Sequence, residues 1–172
     1  MYSAFVRYIL LGFAIVAAIT FGFYRELELV AASIFLFFFI LWSHYRHSSV
    51  LLASKYFKNK DYENTQKYLN EVPNPDKLAK NRRGYYEFML ANIALQEEDF
   101  AAAEYHFQIS SKFPLGGKND KAYVMIHLAN LALRNKDIER VNVYLKHAKE
   151  LATTSKANEL IQRIEKQVSK LS

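Results

Sequence analysis

Hydrophobic positions are concentrated at the front of the chain, in two long runs separated by a short charged stretch. Ala, Val, Ile, Leu, Met, Phe, Trp and Tyr fill 34 of the first 45 positions and 54 of the other 127. The first run, 8–24, contains no charge, and as a helix it would be roughly 25 Å long, close to the hydrocarbon thickness of a bilayer. The second run covers about 28–45. The pattern predicts an anchor domain, 1–46, made of two transmembrane helices joined by a tight turn.

Two other interpretations of these runs are a cleaved signal peptide and a buried pair of soluble helices. A signal peptide needs small residues after its apolar core, whereas 21–26 is bulky and charged. Helices of a soluble protein need a polar face toward water, and the phenylalanines in 35–39 leave none on the second helix. The sequence therefore favours the membrane hairpin over both alternatives.

Small residues form a stripe along the first predicted helix. Ala14, Ala18 and Gly22 recur at a spacing of four, so they lie on one helix face, and such stripes let helices approach closely in lipid. The stripe predicts packing within the hairpin or, alternatively, against another membrane protein.

The distribution of Lys and Arg around the two runs predicts their orientation. Arg25 is in the turn, whereas four basic residues follow the second run, namely Arg46, Lys55, Lys58 and Lys60. Because positive residues accumulate on the cytoplasmic side of membrane helices, both termini are expected in the cytoplasm. No Gly-, Pro- or Ser-rich linker follows the second run, so we expect its helix to continue into the next one, straight or gently kinked.

The remainder of the chain repeats with a period of 38 residues. The matching positions are Leu52-Ala53, Leu90-Ala91 and Leu128-Ala129; Asp61, Asp99 and Asp137; and Leu69, Phe107 and Leu145. An Asp after a short polar stretch is typical of a helix N-cap, and the alanines allow two helices to pack closely. The register predicts three helix pairs over 47–152, followed by a capping helix over 153–172 with one apolar face.

This pattern resembles the tetratricopeptide repeat (TPR) family, whose copies combine a small residue in the first helix with Ala-x3-Phe in the second. The middle copy carries the match in Leu90-Ala91, Asp99-Phe100, Ala103-x3-Phe107 and Pro114. Charged residues stand where the family's turn glycine is usual, namely Lys60, Glu98 and Lys136. The resemblance implies an α-solenoid of three helix pairs and a capping helix. With the transmembrane helical hairpin predicted from the apolar runs, the whole chain is expected to be all-α.

The resemblance also implies a concave groove, lined by the first helix of each pair, that binds a protein segment. Its positions in the three copies are Ser54 and Lys58; Tyr85, Phe88, Met89, Asn92, Leu95 and Gln96; and Tyr123, His127, Asn130, Leu133 and Arg134. An exposed Asn amide can both donate to and accept from the backbone of an extended peptide, while Tyr and Leu supply apolar contact area. The alternative is that the asparagines bond to neighbouring helix backbone and that Tyr and Leu pack between repeats.

Composition and motifs narrow the function further. The net charge is +6, and residues 48–172 hold 20 basic against 15 acidic residues, but the bases are scattered, so a nucleic-acid interface is not expected. The absence of Cys excludes disulfides and thiol chemistry. No nucleotide-binding, zinc-protease, calcium-loop or serine-hydrolase motif occurs. His106, His127 and His147 occupy different positions of their repeats, and no acidic residue lies near His44 and His47 to complete a metal site. No enzymatic activity, cofactor or metal is expected.

Together these features predict a non-catalytic, membrane-anchored adaptor or scaffold that binds a protein partner through the groove and membrane lipid through the hairpin. The alternative is a structural accessory or assembly subunit of a larger membrane protein complex, docked through the hairpin. The two interpretations differ in the surface that contacts protein.

Overall fold

A computed structural model describes residues 4–47 and 49–170, without the side chains of residue 4 and residues 45–47. In these two ranges the chain forms nine α-helices, one short 3₁₀ helix and no strand, which confirms the predicted all-α class. The α-helices are α1 (Ala4–Phe23), α2 (Leu27–His47), α3 (Val50–Lys58), α4 (Tyr62–Asn70), α5 (Lys80–Gln96), α6 (Phe100–Ser111), α7 (Lys118–Arg134), α8 (Ile138–Leu151) and α9 (Ser155–Val168). Residues 1–3, 48, 171 and 172, which fall within the predicted domains, lie outside the described residues, as does the Arg46 side chain.

The chain divides into two compact units, Met1–Arg82 and Arg83–Ser172. The first unit contains α1 to α4, and the second contains most of α5 and all of α6 to α9. The domain bounds taken from the sequence, 1–46, 47–152 and 153–172, follow membrane and repeat patterns rather than compactness, and they stay a prediction.

The first unit begins with a hairpin of two apolar helices. α1 and α2 are antiparallel, because the ring of Tyr8 near the start of α1 lies 5.5 Å from the ring of His44 near the end of α2. A short turn joins them, with Arg25 in the left-handed conformation at φ 62°. Phe5–Phe23 and Leu27–His44 are each long and apolar enough to cross a bilayer. Their outward side chains include large exposed residues such as Phe23, which is 86% exposed.

The predicted small-residue stripe lies partly at the contact between the two helices. Ala14 is buried there, Ala18 is half-buried and Gly22 is exposed. Together with Ser33 and Phe37 of α2, the two alanines line a shallow apolar cavity of about 280 Å³. The stripe therefore serves packing within the hairpin at one end and leaves a surface concavity beside it.

The expected continuation of the second apolar helix into the first repeat helix is not found. α2 ends at His47, and α3 begins separately at Val50. Beside this interruption, the hydroxyl of Ser49, which is buried, donates to a carboxylate oxygen of Glu71 at the end of α4. Because Glu71 is 22 residues further along the chain, the local sequence carries no signal for this contact.

The three aspartates at the 38-residue period cap the second helix of each pair, as predicted. The carboxylates of Asp61, Asp99 and Asp137 accept the backbone N–H of the residue three positions later, at 3.1, 2.9 and 3.0 Å. An N-cap of this kind contributes about 1 kcal/mol, since it satisfies an amide that the helix leaves without a partner. Because a capping Asp recurs in each copy, it marks the repeat register in the sequence.

The residue before each capping Asp adopts the conformation that glycine provides in the TPR family. Lys60, Glu98 and Lys136 have φ values of 60°, 60° and 57°. Their backbone amides bond back to the end of the preceding helix, as in Lys60 N to Phe57 O at 2.9 Å. Charged side chains thus replace glycine without loss of the turn, at a conformational cost of about 1 kcal/mol each.

The second unit has solenoid-like packing, in which α7 contacts α6, α8 and α9. Its core consists of alanines and larger apolar side chains from the helices of both repeats, in two clusters. One cluster contains Ala91, Ala94, Ala103, Phe107, Val124, Leu128 and Leu131, and the other contains Ile126, Ala129, Ala132, Val141, Leu145, Ala148, Ala157, Ile161 and Ile164. The apolar face of α9 completes the second cluster, which is the role expected of a capping helix.

Gly84 lies where α5 approaches the loop after α6, and we expect Gly84→Ala to destabilise the second unit by about 1–2 kcal/mol. A Cβ atom at this position would lie 2.8 Å from the backbone oxygen of Pro114 and 3.1 Å from the side chains of Phe113 and Leu115. In an uncrowded helix the same change stabilises by about 1 kcal/mol, so a loss of stability would indicate the clash with the loop. The change in free energy of unfolding is measured by urea unfolding of the detergent-solubilised chain, with amide exchange in the second unit as the readout.

The matched control is Gly12→Ala in α1, where an added Cβ meets no atom within 4 Å. It should leave amide exchange in the second unit unchanged. Stabilisation by Gly84→Ala would show that the loop moves aside, contrary to the close approach described.

Candidate partner-binding groove

The first helices of the second and third repeats place the predicted groove positions in equivalent settings. α5 and α7 each have 17 residues, and their starts and ends are offset by the same 38 positions as the sequence repeat. Tyr85 and Tyr123, Asn92 and Asn130, and Leu95 and Leu133 therefore occupy corresponding helical positions. The two copies nevertheless use these side chains differently.

A cavity of about 280 Å³ lies at the C-terminal ends of α5 and α7. Its lining residues are Leu95, Phe100, Asn130, Leu131, Leu133, Arg134 and Gln167. The lining combines apolar surface from the leucines with exposed polar side chains at Asn130 and Arg134. Such a mixture suits a segment that offers both an apolar side chain and polar backbone or carboxylate groups.

Arg134 is held in place by an aromatic ring. The guanidinium carbon lies 3.6 Å from the ring centroid of Phe100, which is close enough for a strong cation–π contact. Stacking of this kind uses the face of the guanidinium and not its N–H donors. Arg134 is therefore oriented before any ligand arrives, and its planar edge can donate to a carboxylate in a bidentate manner.

Tyr85 is engaged within the chain. Its hydroxyl donates to Asp120 Oδ2 at 2.9 Å and accepts from the backbone N–H of Gly116 at 3.1 Å. Burial, followed by the bond to the Asp120 carboxylate, raises the pKa of Tyr85 above its ordinary value, so the hydroxyl keeps its proton. With Tyr123 and Phe88, Tyr85 also borders a cavity of only about 40 Å³. This part of α5 ties two repeats together.

The two repeated asparagines have different surroundings. Asn92 is half-buried, and its side-chain amide donates to the carbonyl of Phe88 in the same helix at 2.7 Å. That contact is the backbone-bonding alternative considered from the sequence. Asn130 is exposed and lines the cavity at the C-terminal ends of the helices. Asn130 is thus the better placed of the two to meet a peptide backbone.

Three further groove positions face the interior of the second unit. Met89 is 1% exposed, and the ring of Phe88 lies 6.1 Å from that of Phe107. His127 stacks on Phe107 with ring centroids 4.8 Å apart and planes inclined by 5°. Burial lowers the pKa of His127 to about 4, so the imidazole is neutral near pH 7. These side chains pack within the second unit, whereas Gln96 at the end of α5 is exposed.

The two groove positions of the first repeat belong to the first unit. Ser54 and Lys58 lie on α3, where they line a separate cavity of about 520 Å³. The structure therefore does not describe them as one site with the residues of α5 and α7.

A cluster of ionisable side chains around the buried Glu87 holds α5 to α6, and the repeat pattern does not predict it. Glu87 is 2% exposed, and its two carboxylate oxygens lie 2.8 Å from Arg83 Nε and 2.6 Å from His106 Nδ1. A bond from Ser110 Oγ to the carbonyl of Gly84 at 3.0 Å joins the same two helices. The available sequence signal was a charged residue on a helix face that is otherwise apolar.

The sequence analysis also missed two members of the cavity. In the sequence, Phe100 stands out only as part of the repeat pattern Asp99-Phe100, and Gln167 carries no distinguishing pattern. Their side chains reach the cavity because α6 and α9 both pack beside α7. In residues 4–47 and 49–170, no three His, Asp or Glu side chains come together in a way that could bind a metal ion.

A family model described as the SusR N-terminal TPR domain matches residues 40–165. The matched region extends from the last turns of α2 into α9, and it includes every predicted groove residue. No curated protein and no solved structure matches the chain.

Proposed function

Because the chain belongs to the SusR N-terminal TPR domain family, we propose that it is a scaffold whose groove in the second unit binds an extended segment of a protein partner. The observation that carries this proposal is the cavity lined by Leu95, Asn130, Leu133 and Arg134. TPR domains generally act in protein–protein interaction and not in catalysis.

The chemistry of the cavity indicates how a segment would bind. The two leucines would bury an apolar side chain, and the exposed amide of Asn130 would both donate to and accept from the peptide backbone. The guanidinium of Arg134, fixed on Phe100, would bind a carboxylate of the segment. Backbone and charge recognition together would allow different sequences to bind, provided that an apolar and an acidic group are suitably spaced.

We also propose that the hairpin spans a membrane and that both termini are cytoplasmic. Only 17% and 11% of the residues in the two apolar windows are buried in the chain, which supports a lipid environment for these helices. Exposed apolar faces of this extent are stabilised by lipid, at about 25 cal/mol for each Å² removed from water. In this arrangement residues 1–46 are the anchor, 47–152 the repeats and 153–172 the cap.

A second candidate function is that of an accessory or assembly subunit that docks into a larger membrane complex through the hairpin. The apolar cavity beside Ala14 and Ala18 favours it, because a helix of another membrane protein could pack closely there. Exchange of the hairpin for an unrelated one would then abolish partner binding, whereas the groove proposal requires that binding survives the exchange.

Partner capture from detergent extracts tests the groove. We expect Asn130→Ala/Arg134→Gln to lose the partners that the unmodified chain retains, since both residues are exposed and line the cavity. Asn142→Ala/Lys146→Gln on α8 is the matched control, with the same spacing and two exposed residues. Identical partner sets for all three proteins would refute the groove proposal.

Cysteine labelling tests the membrane arrangement, because the chain contains no Cys. In intact cells Glu26→Cys, in the turn between α1 and α2, should react with an impermeant reagent, and Lys170→Cys should react only after lysis. Reaction of Lys170→Cys from outside would reverse the orientation, and release of the chain by alkaline extraction would contradict a spanning hairpin.

A further inference from the structure

The first repeat carries a basic concavity that the groove in the second unit does not include. Among the described residues, the cavity of about 520 Å³ on α3 is lined by Leu51, Leu52, Ser54, Lys55, Lys58 and Asn59. It is larger than the cavity at the ends of α5 and α7, and it has two lysines where that one has a single arginine.

The donors in this cavity suit a phosphate group. Lys55 and Lys58 are both exposed, and neither takes part in an ion pair among the described residues. The hydroxyl of Ser54 donates to the carbonyl of Leu51 at 2.8 Å, so the two ammonium groups and the Asn59 amide are the donors left for a ligand. Two ammonium groups one helical turn apart can contact different oxygens of one phosphate.

The position of α3 in the chain limits how far this cavity can lie from the end of the apolar hairpin. The apolar window of α2 ends at His44, and α3 begins at Val50. Even if every intervening segment ran straight outward, the backbone of Lys58 would lie within roughly 30 Å of the end of that window, and any bend brings it closer. Leu51, which is 40% exposed, adds an apolar contact on the same face.

We propose that the α3 concavity binds the phosphate of an anionic phospholipid headgroup in the leaflet that the hairpin enters. The inference rests on the proposed membrane anchoring. Tethering by the hairpin keeps headgroups at high effective concentration beside Lys55 and Lys58, a condition that no soluble anion meets. The negative surface potential of the cytoplasmic leaflet adds attraction for lysines within a Debye length. The bound lipid would orient the repeats relative to the bilayer.

Native mass spectrometry of the full chain in neutral detergent, with phosphatidylglycerol or phosphatidylcholine added, tests this site. We expect preferential retention of phosphatidylglycerol, and a loss of at least about tenfold in its affinity for Lys55→Gln/Lys58→Gln, because a hydrogen bond to a charged group contributes about tenfold or more. Lys118→Gln/Lys121→Gln on α7 removes the same charge at the same spacing and should change the affinity less than about twofold. Lys55→Arg/Lys58→Arg, which keeps the charge, should retain the lipid.

Four results would overturn the proposal. The first is unchanged phosphatidylglycerol binding by Lys55→Gln/Lys58→Gln, and the second is an equal loss in the α7 control. The third is full displacement of the lipid by millimolar inorganic phosphate or glycerol 3-phosphate, which would identify a soluble phosphate as the ligand. The fourth is loss of a captured protein partner without loss of lipid, which would assign the α3 face to protein binding.

Alkaline extraction of the same variants separates this inference from the anchoring on which it rests. If the hairpin does not span the membrane, all variants are released, and both proposals fail. If the variants stay in the membrane fraction while lipid binding is insensitive to Lys55 and Lys58, only the headgroup site fails.

Discussion

Phe107→Ala is expected to lower the free energy of unfolding of the second unit by about 4 kcal/mol, the range found when a fully buried aromatic ring is removed. Phe107 has no exposed surface, and its ring contacts Phe88 of α5 and His127 of α7. One side chain of α6 thus joins the first helices of two successive repeats. Loss of the ring leaves a cavity at the centre of that contact, which the packed alanines around it cannot fill.

Amide exchange as a function of urea measures this loss for the second unit separately from the hairpin. Tyr105→Ala is the control, because Tyr105 lies on the same helix and is 60% exposed. It should cost less than about 1 kcal/mol, as expected for a surface position. Equal effects of the two substitutions would show that α6 does not use Phe107 to join the repeats.

Acidification from pH 6.5 to pH 4 is expected to remove about 3 kcal/mol of stability from the second unit through His127 alone. Burial lowers the pKa of His127 from 6.5 to about 4 in the folded chain. Between these values the unfolded chain binds a proton that the folded chain does not, so stability falls as the pH falls. The contribution of His127 is complete above pH 6.5.

His127→Phe isolates this effect, because the ring can still stack on Phe107 but cannot take up a proton. Between pH 6.5 and pH 4, the free energy of unfolding of His127→Phe should fall less steeply with pH than that of the unmodified chain. The difference in slope corresponds to at most one proton taken up on unfolding. A slope in His127→Phe equal to that of the unmodified chain would mean that other groups carry the acid sensitivity.

The features that the sequence predicted well are those that a few neighbouring residues determine. The capping aspartates act on amides three positions away, and Ala103 and Phe107 lie one helical turn apart. Local patterns of this kind recur in each copy, which is why the all-α class, the repeat type and the two apolar helices are predictable. The family match over 40–165 confirms the repeat type.

The features that the sequence did not predict depend on contacts between distant residues. Ser49 meets Glu71, and Glu87 meets His106, 22 and 19 positions away. Asn92 and Asn130 share one repeat position, yet one bonds to its own helix and the other lines a cavity that Gln167 helps to form. A repeat register assigns equivalent positions but not the neighbours that complete each site. Partner binding by the groove residues stays a prediction.

The pairing of helices that are close in the chain has a consequence for synthesis of the protein on the ribosome. α1 pairs with α2, α3 with α4 and α7 with α8, so each helix meets its partner soon after both have left the exit tunnel. Short-range contacts of this kind form quickly and close small loops. The chain can therefore fold in the order in which it is made, with the hairpin formed before the repeats that follow it. The apolar faces of these paired helices are then exposed only briefly during synthesis.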